Sequence, residues 1–211
     1  LPHLATPLTS PTRKADRLRR TLALFGLLLI AATWPLWTPA DVFPQVPLLA
    51  GRWLPGNWAQ WLAMGMLVVA LAAMGALPAG RASHIACGAV AGCFAAAMLF
   101  DQGRIQPWAY QFAVFAVVLA SCGARVAVML ARVLVIAFYF ESAVTKFDDS
   151  FLHTLGQQFL AALLRMVGDS PANWPPGARI AAAAVFPVGE LLVAVALVFR
   201  QSRSIGLAAA I

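Results

Sequence analysis

The chain has 211 residues, 62% of them hydrophobic and only 11% charged, with a formal net charge of +7. Soluble domains carry about 25% charged and about 45–50% apolar residues, so this composition argues against a water-soluble globule and makes lipid the solvent for most of the surface. The positive charge does not point to nucleic acid, because Arg13, Lys14, Arg17, Arg19 and Arg20 are gathered just before the first apolar run, where cations hold a terminus on the cytoplasmic side and meet anionic lipid.

In chain order, residues 1–20 read as a basic cytoplasmic tail, followed by one integral membrane domain over 21–211. A first span is expected over 21–38. The basic-then-apolar order resembles a signal peptide, but no small-residue cleavage site follows Leu36-Trp37. Residues 38–58 hold Pro39, Pro44, Pro47 and Pro55 among tryptophans, the pattern of an interfacial loop. Further spans are expected over 58–77, 84–100, 107–121 and 124–145, each long enough for most or all of about 30 Å of hydrocarbon. Over 151–167, Phe151, Leu155, Phe159, Leu163 and Met166 recur at helical spacing while His153, Thr154, Gln157, Gln158 and Arg165 fall on other faces. This predicts an amphipathic helix lying in the interface. A Pro/Trp loop over 171–176 precedes a sixth span over 179–199, and 205–211 begins a seventh apolar run that is too short to cross. The expected fold is all-α, a polytopic helical bundle, with the numbered chain forming part of a longer protein.

Six alternating spans with a cytoplasmic N-terminus place Arg13, Lys14, Arg17, Arg19, Arg20, Arg81, Arg125, Arg200 and Arg203 inside, and Arg52, Arg104, Lys146, Arg165 and Arg179 outside. That asymmetry fits the positive-inside rule and a bacterial inner membrane, with 146–176 facing the periplasm.

The residues able to carry chemistry are few. Arg132, Glu141 and Glu190 lie within apolar runs, and Lys146 lies at a rim. An ionisable group at membrane depth costs roughly 3 kcal/mol on insertion scales, so it has a partner or a role. Arg132 and Glu141 lie nine positions apart, on opposite helix faces, and cannot pair. Arg132 is therefore the expected partner of Glu190 in a structural ion pair. Lys146 and Glu141 are one turn apart, and Lys146, Glu141 and Glu190 form the candidate proton or quinol site. A quinone or a bound lipid is the candidate occupant. His84 is a candidate single axial ligand, against the plainer reading of a solvated helix-end histidine.

Cys87, Cys93 and Cys122 form no C-x-x-C, which argues against a disulfide framework and covalent c-type haem, and no metal site is expected. Gly65, Gly75, Gly88 and Gly92 offer small surfaces for close helix contact. The seven tryptophans read as interface anchors.

Two segments carry a family resemblance. Asp101-Gln-Gly-Arg-Ile-Gln-Pro-Trp-Ala-Tyr-Gln-Phe112 and Tyr139-Phe-Glu-Ser-Ala-Val-Thr-Lys-Phe-Asp-Asp149 resemble matching stretches of the vitamin K-dependent carboxylase-like, or horizontally transferred transmembrane, family. The motif positions are Asp101, Arg104, Gln106, Trp108 and Tyr110. The second half, with Arg132, the Ala-Val-Thr-Lys-Phe helix exit, Pro187-Val-Gly-Glu190 and the turn at Arg200–Arg203, is similar to DoxX/MauE-type proteins. The resemblance implies that Lys146 matches the carboxylase lysine that acts as a base. Burial makes lysine a base by favouring its neutral form, whereas Glu141, Asp148 and Asp149 favour the ammonium. The histidine of the family's Asn-His pair is absent, with Pro107-Trp108 in its place. The expected role is an accessory or structural subunit of a larger respiratory or photosynthetic membrane complex, in contact with other membrane subunits and not with nucleic acid. The alternative is a quinol-linked membrane enzyme.

Overall fold

The structure is a computed structural model that describes residues 10–39, 46–48, 56–199 and 201–209. Helix is the regular structure throughout those residues, with no strand among them. The chain divides into two compact units, Leu1–Ala131 and Arg132–Ile211.

The first unit is built on α1 (Pro11–Ala32), α2 (Trp34–Trp37), α3 (Asn57–Ala76), α4 (Arg81–Phe100), α5 (Pro107–Ser121) and the start of α6 (Ala124–Lys146). Helix α1 begins ten residues before the expected span, because Ser10 and Pro11 supply an N-cap and a first-turn proline. Asp16 then bridges Arg19 and Arg20 at i+3 and i+4. The helix breaks at Thr33 because Pro35 lacks the N–H that would bond Ala31; Thr33 N and Oγ1 both donate to the Leu29 carbonyl, the hydroxyl at 2.6 Å. Helix α4 packs against α3 and α5, and α1 packs against the same two. Their shared core holds Ile30, Leu67, Leu71, Met74, Val90 and Phe94.

Two glycines justify themselves where α1 meets α3. A Cβ on Gly26 would stand 3.1 Å from Leu71 Cδ2, and one on Gly75 3.2 Å from Ala23 Cβ. Gly65 and Gly92 have nothing within 4 Å at that position, so they provide no such contact. Trp37 is wholly buried, not an interface anchor. Its ring lies 5.8 Å from Phe94 and 5.3 Å from Trp108, which in turn meets Phe112. Trp58, Trp61 and Trp34 are exposed, as boundary tryptophans are.

The second unit contains the rest of α6, then α7 (Asp149–His153), α8 (Leu155–Arg165), α9 (Pro176–Ala183), α10 (Val185–Val198) and α11 (Arg203–Ala209). The amphipathic segment is thus two helices, divided at Thr154, whose backbone leaves the helical region and whose Oγ1 donates to the Ser150 carbonyl. Gly156 sits where a Cβ would lie 3.0 Å from the Phe151 carbonyl oxygen and 3.1 Å from Ala183 Cβ. The buried side of α8 is therefore Gly156 and Leu160, while the expected apolar stripe of Leu155, Phe159, Leu163 and Met166 points outward. Gly168, at φ 78°, ends the helix in the left-handed conformation, with Asp169 N donating back to the Leu164 carbonyl.

The break between α9 and α10 falls at Ala184, since Pro187 offers no N–H to Ala183 and its ring crowds that carbonyl. Taken as one segment, Pro176–Val198 joins Asn57–Ala76, Arg81–Phe100 and Ala124–Lys146 as the four segments long and apolar enough to cross a membrane among the described residues. Pro107–Ser121 is apolar but shorter. Four, rather than six, candidate spans stand on length and composition. The expected seventh run is seen as α11, whose Gly206 approaches Ala196 so closely that a Cβ would be 3.0 Å from its methyl.

Candidate functional site

In the second unit, the structure brings together one carboxylate and one ammonium. Lys146, in the last turn of α6, forms an ion pair with Glu190 Oε1 of α10 and donates to Ser142 Oγ at 3.0 Å, one turn back on its own helix. Both members of the pair are about three-quarters buried, with side chains 26% exposed. Glu190 Oε2 is buried and accepts no hydrogen bond. Such a pair can tie two helices together, and its open carboxylate oxygen can accept one further donor or a proton.

Arg132 is not the partner of Glu190. Its guanidinium donates to the carbonyl oxygens of Leu197 at 2.9 Å and Val198 at 2.7 Å, at the C-terminal end of α10. The end of an α-helix leaves its last carbonyls without intrahelical donors and carries partial negative charge, so a guanidinium satisfies both needs there. The expected ion pair is thereby corrected: Glu190 belongs to Lys146, and Arg132 belongs to the helix end. Glu141 stands apart. It is exposed, its own carbonyl accepts from Thr145 Oγ1, and Lys146 turns to Ser142 and Glu190 instead.

Basic side chains tie helices in the first unit too. Arg104, 1% exposed, donates through Nε to the Leu36 carbonyl at 3.2 Å and through a terminal nitrogen to Gln60 Oε1 at 2.7 Å. Burial pushes its guanidinium down from its ordinary value, and Asp101, 4.0 Å away, opposes that shift. Asp101 itself accepts from Gly103 N and Val46 N, folding the turn that aims Arg104 inward. Gln106 closes the same turn by donating to the Gly103 carbonyl at 2.8 Å, Trp108 joins the aromatic cluster, and Tyr110 is exposed. The resembling motif is thus a packing device at this end of the unit. Arg19, buried in α1, donates to the carbonyls of Met74 and Leu77 at the end of α3 and pairs with Asp16 at 2.5 Å. The hydrogen bond from Arg19 holds the Asp16 carboxyl below its ordinary value against the opposing effect of burial.

His84 donates or accepts through Nδ1 at the Ala120 carbonyl, 3.1 Å away, and is exposed. The cavity beside it, with Arg19, Cys87 and Cys122, holds about 60 Å³, room for a few waters. No group of three or more metal-ligating side chains occurs among the described residues. Compared with protein-family models, curated proteins and solved structures, the chain matches none.

Several of these residues were not legible as site residues. Ser142 carries no motif, although its i−4 relation to Lys146 is a helix-face relation. Arg19 read as a topology cation, and Arg104, though a motif position, carried no expectation of burial. The only hint of their burial was an acid three residues before each.

Proposed function

We propose that this chain is an integral membrane protein of the carboxylase-like superfamily, with a DoxX/MauE-like second half, and that it serves as an accessory or structural subunit of a larger membrane complex. The observation that carries the role is the mutual engagement of Lys146 and Glu190. The groups most suited to proton chemistry hold each other across two helices, and Arg132 is engaged by carbonyls. Charges used as inter-helix ties specify packing, and charged pairs at membrane depth avoid the cost of meeting hydrocarbon alone. Apolar side chains on the outer faces, such as Leu192, Val185 and Phe159, are surfaces for acyl chains or neighbouring subunits. The six-span reading adds α1 and α5 to the four long apolar segments, with the N-terminus cytoplasmic in a bacterial inner membrane. The test is gentle solubilisation followed by native electrophoresis and identification of co-migrating chains. A stoichiometric membrane partner supports the role. Migration as a lone monomer rejects it.

The second reading, a quinol-linked membrane enzyme using Lys146, Glu190 and Glu141, is favoured by one feature, the unpartnered buried oxygen of Glu190. A quinol hydroxyl donating there would complete the carboxylate. Lys146→Ala and Glu190→Gln should then abolish quinone binding in protein that still folds. Unchanged binding eliminates this reading.

A further inference from the structure

A separate polar groove of about 430 Å³ opens in the second unit between α8, α9 and the turn at Pro171–Asn173. Its lining includes His153, Thr154, Gln157, Gln158, Ser170 and Arg179, and no carboxylate. Most of these polar groups are already engaged. His153 Nδ1 faces Asp149, at 2.9 Å from its carbonyl and 3.1 Å from its carboxylate. Thr154 Oγ1 donates to Ser150, Gln157 Nε2 donates to the Leu152 carbonyl, and Ser170 Oγ accepts from Ala172 N. Asp169, next in sequence to Ser170, caps the Ser170 N–H.

Arg179 is different. Its Nε is buried without a hydrogen-bond acceptor, and its guanidinium makes no ion pair or hydrogen bond with any described residue. A buried donor on a charged group that lacks an acceptor is costly. An Arg fork lining an acid-free groove beside the Gln158 amide suits an oxyanion, and phosphate accepts two parallel N–H bonds from such a fork. The location selects the source. Arg179 stands in the first turn of an apolar 23-residue segment, and α8 directs Leu155, Phe159 and Leu163 outward on the face away from Gln157. A polar recess beside an outward apolar stripe is the environment of a lipid headgroup.

We infer that this groove is a phosphate-binding site, occupied by the headgroup of an anionic phospholipid with Arg179 as its principal donor. The inference does not depend on the role proposed for Lys146 and Glu190. The test uses the full chain, purified in mild detergent and supplied with phosphatidylglycerol, with retained lipid counted by native mass spectrometry. Arg179→Gln should lower retention by at least about tenfold, equivalent to about 1.4 kcal/mol. Arg165→Gln, which removes an exposed α8 cation outside the groove, should leave it unchanged. A parallel titration with inorganic phosphate separates the sources. Displacement of the lipid at millimolar phosphate assigns the site to free phosphate, and no displacement assigns it to the headgroup. Equal retention in Arg179→Gln and the unaltered protein overturns the inference, as does equal loss in Arg165→Gln. Should Arg179→Gln not purify as a folded species, Arg179→Lys and Gln158→Leu carry the test. Both should weaken retention, and no change in either overturns the site.

Discussion

Removing either member of the Lys146–Glu190 pair should have unequal consequences, and the inequality follows from what each substitution leaves behind. Lys146→Met strips Glu190 Oε1 of its ammonium while Oε2 already lacks a donor, so an entire carboxylate remains largely buried and unpaired. Breaking a buried pair in this way costs about 3–5 kcal/mol. The pair is one-quarter exposed, which places the expectation near the lower end, about 3 kcal/mol. Glu190→Gln leaves Lys146 with Ser142 Oγ and an amide oxygen to donate to, so it trades a charge-assisted bond for a neutral one, a loss of about 1 kcal/mol. The double change Lys146→Met/Glu190→Met removes both charges and should be less damaging than Lys146→Met alone, because the cost lies in the orphaned charge. The assay is reversible unfolding of the purified chain in mixed micelles, followed by far-ultraviolet circular dichroism. If Lys146→Met and Glu190→Gln are equally harmless, or if the double variant is no more stable than Lys146→Met alone, the pair is not the tie described.

Arg104→Lys should destabilise the protein by about 2 kcal/mol or more in the same assay, since an ammonium cannot reach both the Leu36 carbonyl and Gln60 as the planar fork does. Full stability in Arg104→Lys would show that one of those bonds is dispensable. Gly156→Ala should cost about 1–3 kcal/mol, because its new methyl meets the Phe151 carbonyl, which cannot swing aside. Asp16 provides a pH dependence. Its folded pKa lies below its ordinary value of 3.8, so its contribution is present above that value and is lost as the pH falls through the folded one. Unfolding measured between pH 6 and pH 2.5 should therefore be less pH-sensitive in Asp16→Asn, and an identical profile would count against the Arg19 bond.

Much of the helical framework was legible because apolar runs and proline punctuation act locally. The helix expected over 107–121 is α5 itself, and the one expected over 124–145 differs from α6 by one residue. Helix α1 was under-read because its first half is charged, and its stability comes from contacts that sequence does not reveal: Arg19 reaching the end of α3, and Gly26 and Gly75 letting α1 and α3 close. The partner of Glu190 was missed for a geometric reason. Depth along a helix can be counted at 1.5 Å per residue, but rotation and the register of two opposed helices cannot. Arg132 meets residues 197 and 198 while Lys146 meets 190, so α6 and α10 run in opposite directions with the lysine, not the arginine, beside the carboxylate. The groove at Arg179 lay beyond sequence reasoning because it depends on the break at Thr154 and the turn at Pro171, which set three short helices around it.

The account rests on lipid contacting the outer face of α10 while Glu190 stays sheltered by Lys146. A nitroxide placed in turn at Leu192, which is 62% exposed, and at Glu190 measures this directly in reconstituted bilayers. Collision with molecular oxygen should be frequent and collision with a water-soluble nickel chelate rare at 192, while the label at 190 should meet neither freely. Strong nickel-chelate relaxation at 192 would mean that water, not hydrocarbon, bathes this helix, and would contradict the account.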